Sequence, residues 1–284
     1  MGGFATEVAG TRMHAVVLGE GPPVVLVHGF GLSGAYMLPL ARELAPSFTA
    51  FVPDLPGQGE SEELRGRSTL ARLTRALGRW VEANGLVRPA FVANSMGCQV
   101  VTELALRRPK LVGPMVLVGP TIDPARRDAP GQLLAAFRDA LREPVGVLAH
   151  AARDDARAGV RLLYSLGRSL LDDRIEDRLP SLEQRAVVMH GENDAFGSRE
   201  WAERAASLLP RGRLVVVSGE PHSLHYTRPD LVAGIVGELV VEESEHRAGK
   251  LAGGLEHGHV TARQQHETGR RQSALPLVCK PVRD

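Results

Sequence analysis

Residues 90–107 constrain the fold of this chain more than any other segment. A short apolar run ends at Ser95, and a helical pattern begins at once and continues to the end of the segment. Small residues, Ala93 and Gly97, lie two positions on either side of the serine. A strand that turns directly into a helix strains the residue at the turn, and only small neighbours let the two backbones approach so closely. We therefore predict a strand, a sharp turn that exposes the Ser95 hydroxyl at the sheet edge, and a helix whose N-terminal N–H groups favour negative charge.

Strand-like and helix-like patterns alternate along most of the chain. Residues 24–27 form a continuous run of valine and leucine, which is typical of a strand buried on both faces of a parallel sheet. The predicted strands are residues 4–8, 13–18, 24–27, 49–52, the run before Ser95, 115–118, 186–189 and 214–217. The predicted helices between them include residues 35–44, 69–84, 198–209 and 230–240. The alternation predicts an α/β fold with a mostly parallel sheet of about eight strands and helices on both faces.

The alternation breaks in the middle of the chain and again near its end. Residues 121–185 show no strand pattern, only helical stretches at 131–141 and 145–171. We therefore expect a core domain formed by residues 1–120 and 186–242, with a helical cap inserted at 121–185. Beyond residue 242, Glu, His, Arg, Gln and Gly dominate and the apolar periodicity vanishes, so we expect a disordered C-terminal tail over residues 243–284.

Charge and cysteine content exclude several classes of partner. The formal net charge of +1 argues against nucleic acid as the main partner. No apolar run is long enough for a membrane span, so we expect no membrane partner. The two cysteines, Cys98 and Cys279, lie far apart, which predicts neither a disulfide framework nor a cysteine-based metal site. The first residues lack a signal-peptide pattern, and we expect a cytoplasmic protein.

The serine turn and two later motifs together resemble the α/β-hydrolase family. The turn matches the family's G-x-S-x-G motif, with Ala93 in place of the first glycine. Residues 187–194 match the family's strand followed by G-x-x-D, which ends at Asp194. His222 follows the last predicted strand and opens an H-x-x-x-Y-x-x-P motif like the family's. The order Ser95, Asp194, His222 is the order of catalytic residues in that family.

This resemblance implies a serine hydrolase that works through an acyl-enzyme on a small ester-like substrate, without metal or cofactor. Ser95 would be the nucleophile, His222 the general base and Asp194 the acid that orients the imidazole. The backbone N–H groups of Phe30, in the family's HG-x motif, and of Met96 would form the oxyanion hole.

Several alternatives stay open beside this interpretation. Asp123, after the preceding strand, is a second candidate for the acid, because some members of the family place theirs there. Carboxylic ester hydrolysis is the favoured reaction. The elbow and cap are also similar to hydrolases that cleave carbon–carbon bonds in ring-fission products, although Ser223 stands where those enzymes carry tryptophan. A non-catalytic binding protein of the same fold is a further alternative.

The strongest competing interpretation comes from another class of enzyme. Gly29, Gly31 and Gly34 form a G-x-G-x-x-G motif after a predicted strand, and Asp54 ends the next one. That pattern is typical of NAD(P)-dependent oxidoreductases, in which the acidic residue binds the ribose. Against it, a predicted hairpin precedes the glycine motif. Residues 54–61 also match the resembled family's D-x-P-G-x-G-x-S loop, in which the aspartate is structural.

Overall fold

A computed structural model describes residues 2–268, with side chains described as far as residue 248. In this part of the chain, eight strands form one sheet in the order β1-β2-β4-β3-β5-β6-β7-β8. The strands are β1 Gly2–Val8, β2 Thr11–Leu18, β3 Pro23–Val27, β4 Thr49–Pro53, β5 Ala90–Asn94, β6 Met115–Val118, β7 Ala186–Gly191 and β8 Gly212–Val217. Strand β2 is antiparallel to both of its neighbours, and the pairs from β4 to β8 are parallel. The prediction of an α/β fold with a mostly parallel sheet is confirmed.

Helices connect the parallel strands. They are α1 Leu38–Leu44, α2 Leu70–Ala83, α3 Met96–Arg107, α4 Ala129–Ala140, α5 Val145–Asp172, α6 Ile175–Arg178, α7 Arg199–Leu208, α8 Leu224–Thr227 and α9 Pro229–Thr268. No helix among the described residues combines the length and apolar character that crossing a membrane requires.

The sheet is buried on both faces, which explains its continuous apolar strands. Successive side chains of a strand point to opposite faces. In β3, Val25 and Val27 accordingly join a cluster that contains Trp80 of α2 and Trp201 of α7. The alternate residues of β3 join a second cluster with α1 and the first turns of α9. Each large apolar side chain buried in this way contributes about 1.5–3 kcal/mol to stability, so the two layers of helices hold the sheet between them.

The segment between β6 and β7, residues 121–185, contains α4, α5 and α6. Within α5 the helical geometry is interrupted at Gly159, where φ is 74° and ψ is 153°. Hydrogen bonds fasten α5 to the core. Among them, the Ser165 hydroxyl donates to the Ser68 carbonyl at 2.6 Å, and the Ser33 hydroxyl donates to Asp154 Oδ2 at 2.6 Å. We call residues 121–185 the insertion.

The end of the chain differs from the expectation of a disordered tail. The described residues fall into two units, of which the first ends at residue 240 and the second begins at residue 241. Helix α9 continues to Thr268, so residues 243–268 of the expected tail are helical. Glutamate, arginine and alanine, which are frequent after residue 241, are good helix formers even without an apolar stripe. Residues 269–284 lie outside the described part of the chain.

Candidate active site

Ser95 occupies the sharp turn between β5 and α3. Its backbone has φ 55° and ψ −122°, and its hydroxyl makes no capping hydrogen bond to α3. Such a conformation costs a non-glycine residue about 1–3 kcal/mol. The close approach of the backbones explains the small neighbours, since a Cβ atom on Gly97 would lie 2.5 Å from the Val27 carbonyl oxygen. The predicted strained turn is therefore present, and its hydroxyl is not used to cap α3.

Asp194 and His222 form a buried hydrogen-bonded pair at the same edge of the sheet. His222 Nδ1 lies 2.8 Å from Asp194 Oδ2. The other oxygen of Asp194 accepts hydrogen bonds from the N–H groups of Phe196 at 2.8 Å and Gly197 at 3.2 Å. Burial raises the pKa of Asp194, but the charge and hydrogen bond of His222 and the Phe196 N–H outweigh it and lower the pKa overall. Asp194 is thus held as a carboxylate beside the imidazole.

Gly119 and Asn94, which the sequence analysis did not single out, hold this pair in place. Gly119 follows β6 with φ 54°, and a Cβ atom there would lie 2.7 Å from His222 Nδ1 and 2.9 Å from Asp194 Oδ2. The Asn94 amide group donates to the backbone carbonyls of Val118 and His222, each at 3.3 Å. The pair therefore packs directly against backbone, and the residue before Ser95 ties the His222 loop to the sheet.

Ser95 and His222 line one cavity without being hydrogen-bonded to each other. Ser95 Oγ lies 3.5 Å from the hydroxyl of Thr121. His222 Nε2 is buried and has no hydrogen-bond partner among the residues that the structure describes. Hydrogen bonds of catalytic groups are often long in unliganded enzymes and shorten when substrate binds. The structure thus brings Asp194 and His222 into direct contact, and it places Ser95 and His222 in the lining of one cavity.

The loop after β3 packs against the turn that carries Ser95. A Cβ atom on Gly29 would lie only 3.2 Å from Ser95 Cβ. The ring of His28 lies 2.9 Å from the Gly29 carbonyl and accepts the Leu55 N–H at 2.9 Å. Burial lowers the pKa of His28, so its neutral ring joins two loops. Phe30, in the same loop, lines the cavity.

The second expected oxyanion donor, Met96, is the first residue of α3. The N–H groups in the first turn of a helix have no partner within it. The Met96 N–H therefore lies at the N-terminal end of α3, directly after Ser95. This is the position that the resemblance implies for the second oxyanion donor, the N–H of the residue after the nucleophile.

Asp123 is engaged elsewhere. Its carboxylate accepts the Ala125 N–H at 2.9 Å and the Ser198 hydroxyl at 2.8 Å. It therefore connects the start of the insertion to the start of α7. Of the two candidate acids, Asp194 is the one that the structure places at His222.

Asp54 is likewise bound within its own chain. Its carboxylate accepts the Gly34 N–H at 2.6 Å and the Glu60 N–H at 3.0 Å, and it lies 3.1 Å from His14 Nδ1. The oxygens that a dinucleotide ribose would need already hold the glycine loop and the loop after β4. This arrangement favours a structural role for Asp54 and counts against the oxidoreductase interpretation.

The cavity over Ser95 has a volume of about 630 Å³, and the insertion forms much of its wall. Most of its lining is apolar and includes Leu133, Val147, Leu148, Leu170, Leu171 and Phe196. The charged residues in its lining, besides His222, are Asp139, Glu143, Asp155 and Arg168. A space of this size, apolar with a few polar groups near one reactive side chain, is typical of a small-molecule site.

Comparisons with known proteins agree with this geometry. A family model described as the alpha/beta hydrolase family matches residues 24–235. The chain is similar to a pimeloyl-acyl-carrier-protein methyl ester esterase of Vibrio vulnificus, with 25% identity over 78% of this chain and 94% of that protein. It is 28% identical to the esterase of the same description from Stenotrophomonas maltophilia, over 84% of this chain and all of that one (100%).

Solved structures show the same fold. The enol-lactonase from Burkholderia xenovorans superposes with a TM-score of 0.73 at 21% identity, covering 84% of this chain and 99% of that one. A thermophilic esterase from Thermogutta terrifontis has a TM-score of 0.72 at 22% identity, with 84% and 96% covered. The chain belongs to the alpha/beta hydrolase family, and it is a hydrolase.

Proposed function

We propose that this protein is a serine hydrolase that cleaves carboxylic esters through an acyl-enzyme on Ser95. The observation that carries the proposal is that a strained, uncapped serine lines the same cavity as His222, whose ring is hydrogen-bonded to the buried Asp194. A serine that merely capped a helix would use its hydroxyl for the N–H groups of that helix. Here the hydroxyl makes no capping bond of that kind.

In the first half-reaction, Ser95 Oγ attacks the carbonyl carbon of the ester while His222 Nε2 takes the hydroxyl proton. The Asp194 carboxylate stabilises the imidazolium that forms. The backbone N–H groups of Phe30 and Met96 hold the oxyanion of the tetrahedral intermediate, and each is worth about 3 kcal/mol of barrier. The intermediate collapses when the C–O bond of the ester breaks, and the leaving alcohol takes the proton from His222.

In the second half-reaction, water attacks the acyl-enzyme. His222 Nε2 takes a proton from the water and returns it to Ser95 Oγ as the acyl–serine bond breaks. The products are the carboxylic acid and the free enzyme. Every proton moves between groups of this chain, the substrate and water.

The cavity favours a neutral, apolar acyl chain as substrate. Its wall is mainly aliphatic and aromatic, and its lining contains three acidic residues, Asp139, Glu143 and Asp155, and one cationic side chain, Arg168. Carboxyl groups in a confined apolar space repel a free carboxylate on the substrate. Ring-fission dienoates carry such carboxylates, so this lining supports ester hydrolysis over carbon–carbon bond cleavage. The relatives named as methyl ester esterases make methyl esters of acyl chains a suitable member of a substrate panel.

A fluorophosphonate probe tests the nucleophile without knowledge of the substrate. The purified parent and a Ser95→Ala variant are treated with the probe, and the intact mass of each is measured. We expect one adduct on the parent and none on the variant, with esterase activity reduced by more than about 10⁴-fold in the variant. No adduct on a folded parent, together with no ester hydrolysis, would favour the non-catalytic binding protein.

A matched pair of esters then tests the acyl preference. One is a nitrophenyl ester of a medium-length fatty acid, and the other has the same length but ends in a free carboxylate. We expect kcat/KM for the neutral ester to be at least about tenfold higher, a difference of about 1.4 kcal/mol in transition-state binding. Equal values, or preference for the anionic ester, would contradict the proposed role of the acidic lining.

A further inference from the structure

Two carboxyl groups of the insertion stand next to the His222 loop. Asp139 lies in the last turn of α4, Glu143 follows four residues later, and both line the cavity together with His222. We propose that Glu143 is a positioning residue that holds the loop of His222, and that the negative charges of Asp139 and Glu143 together set the pH range in which His222 acts as a base. The proposal rests on the proposed function, since it assigns His222 the role of base.

Glu143 is bonded to the residue directly after His222. One oxygen of its carboxyl group accepts the backbone N–H of Ser223 at 2.9 Å, and the other accepts the Ser223 hydroxyl. Ser223 is completely buried. A bidentate contact of this kind fixes the backbone on the C-terminal side of the base, much as Gly119 limits the ring from the sheet side.

The same short segment also contacts the loop of the acid. The Arg142 guanidinium donates to the carbonyl of Asn193, the residue before Asp194, at 2.7 Å. The insertion therefore holds the immediate neighbours of both Asp194 and His222. A shift of this segment would move the two members of the pair together or apart.

The charges of the carboxyl pair act on His222 as well. Asp139 is only 7% exposed. Its Oδ1 has no hydrogen-bond partner among the residues that the structure describes. Burial raises the pKa of Asp139, and the charge of His222 opposes this rise. Burial also raises the pKa of Glu143, to about 7, against its hydrogen bond with Ser223. Both groups are therefore sensitive to the charge of the imidazole, and the imidazole to theirs.

The charges that act on His222 come mainly from carboxyl groups. The titratable groups that face it are Asp194 and His190 from β7 and its loop, His225 from α8, and Asp139 and Glu143 from the insertion, while Tyr36 faces Glu143. Burial lowers the pKa of His222, but the charge and hydrogen bond of Asp194 and the charges of Asp139 and Glu143 outweigh it and raise the pKa to about 9. Because the base must be neutral to accept a proton, activity should rise through alkaline pH.

The test is the pH dependence of kcat/KM for the neutral ester in the parent, Asp139→Asn and Glu143→Gln. Each variant removes one negative charge, and Glu143→Gln keeps an oxygen that can accept the Ser223 N–H. We expect the midpoint of the acidic limb to move down by about one pH unit in each variant. The exposed Glu238, on α9, supplies the control, since Glu238→Gln removes a carboxylate whose side chain is 59% exposed. It should leave the midpoint unchanged.

A further variant separates position from charge. Glu143→Leu removes the charge and also the acceptor of Ser223, so we expect the same shift of the midpoint and, in addition, a plateau value of kcat/KM about tenfold lower than that of Glu143→Gln. Equal plateaus would overturn the positioning role.

The titration of His222 itself gives a readout that does not depend on turnover. The imidazole signals of the parent, Asp139→Asn and Glu143→Gln are followed by NMR against pH, with His222→Asn used to assign the signal. A lower midpoint in both variants supports the proposal even if the fluorophosphonate experiment fails. Unchanged midpoints in folded variants overturn it even if Ser95 is labelled.

Discussion

At Gly119, one added carbon atom should reduce catalytic activity more than it reduces folding stability. Its backbone φ of 54° is left-handed, and an alanine Cβ atom would lie 2.7 Å from His222 Nδ1, about 0.7 Å closer than the 3.4 Å at which ordinary contact begins. The same atom would lie 2.9 Å from Asp194 Oδ2. Gly119→Ala therefore pushes apart the two atoms whose hydrogen bond orients the base.

The substitution should lower both the folding stability and the reaction rate, for two different reasons. The left-handed backbone costs an alanine about 1–2 kcal/mol of folding stability. Displacement of a catalytic group by about 1 Å costs about 10²-fold in rate, which is about 2.7 kcal/mol of transition-state stabilisation. We expect Gly119→Ala to lose about 1–2 kcal/mol of stability and about 10²-fold in kcat/KM.

Gly85 supplies a matched control, because it has φ 65° and nothing lies within 4 Å of the position of its Cβ atom. Gly85→Ala should lose a similar free energy of unfolding in urea and keep the parent's kcat/KM and its rate of fluorophosphonate labelling. If Gly119→Ala is folded and hydrolyses the neutral ester as fast as Gly85→Ala, then the geometry of the Asp194–His222 pair does not limit catalysis and the argument fails.

Two further predictions concern stability. The guanidinium of Arg178, whose side chain is 8% exposed, donates to Asp173 at 2.7 Å and to Thr102 at 3.0 Å. Arg178→Met removes this cation from a half-buried carboxylate that keeps the Gln99 amide as a donor at 2.8 Å, and it should lower the free energy of unfolding in urea by about 3–5 kcal/mol. A loss below about 1 kcal/mol would mean that the pair behaves like one at the surface. Burial and the charge of His222 lower the pKa of His225 from 6.5 to about 3. As the pH falls below 6.5, the unfolded chain therefore binds a proton at His225 that the folded chain does not bind, and the folded state loses stability. Between neutral pH and about pH 5 the free energy of unfolding of the parent should fall by about 2 kcal/mol more than that of His225→Leu. Urea unfolding at each pH measures this difference, and parallel pH profiles of the two proteins would contradict it.

The fold could be predicted from the sequence because its signals are local. A buried parallel strand is a continuous apolar run, and β3, β5, β6 and β7 each show one. Residues that follow such strands in a parallel sheet meet at one edge, so Asp194 and His222 could be placed near Ser95 without any structure. The two small neighbours of Ser95 likewise indicated from the sequence alone that two backbones approach closely at this turn.

The residues that were missed depend on contacts between distant parts of the chain. Gly119 has no neighbour in sequence that indicates its contact with His222, and its role follows from the convergence of β6, the Asp194 loop and the His222 loop. Asp139 and Glu143 each directly follow an arginine in the insertion, and a charge in such a segment normally faces solvent. Their burial arises from the packing of the insertion over the cavity, for which the sequence contains no periodic signal. The length of α9 was missed for a different reason. Its C-terminal part has no apolar stripe, which was the signal used to predict helices, but its residues are good helix formers.

The strained turn at Ser95 lowers the stability of the fold while it supplies the residue on which catalysis depends. The backbone there suits glycine better than serine, and the hydroxyl gives up the capping bond through which a serine at such a position usually stabilises its helix by about 1 kcal/mol. A chain selected for stability alone would therefore be expected to replace this serine. In any attempt to make the protein more heat-resistant, Ser95 is the position at which a gain in stability would mark the loss of the enzyme.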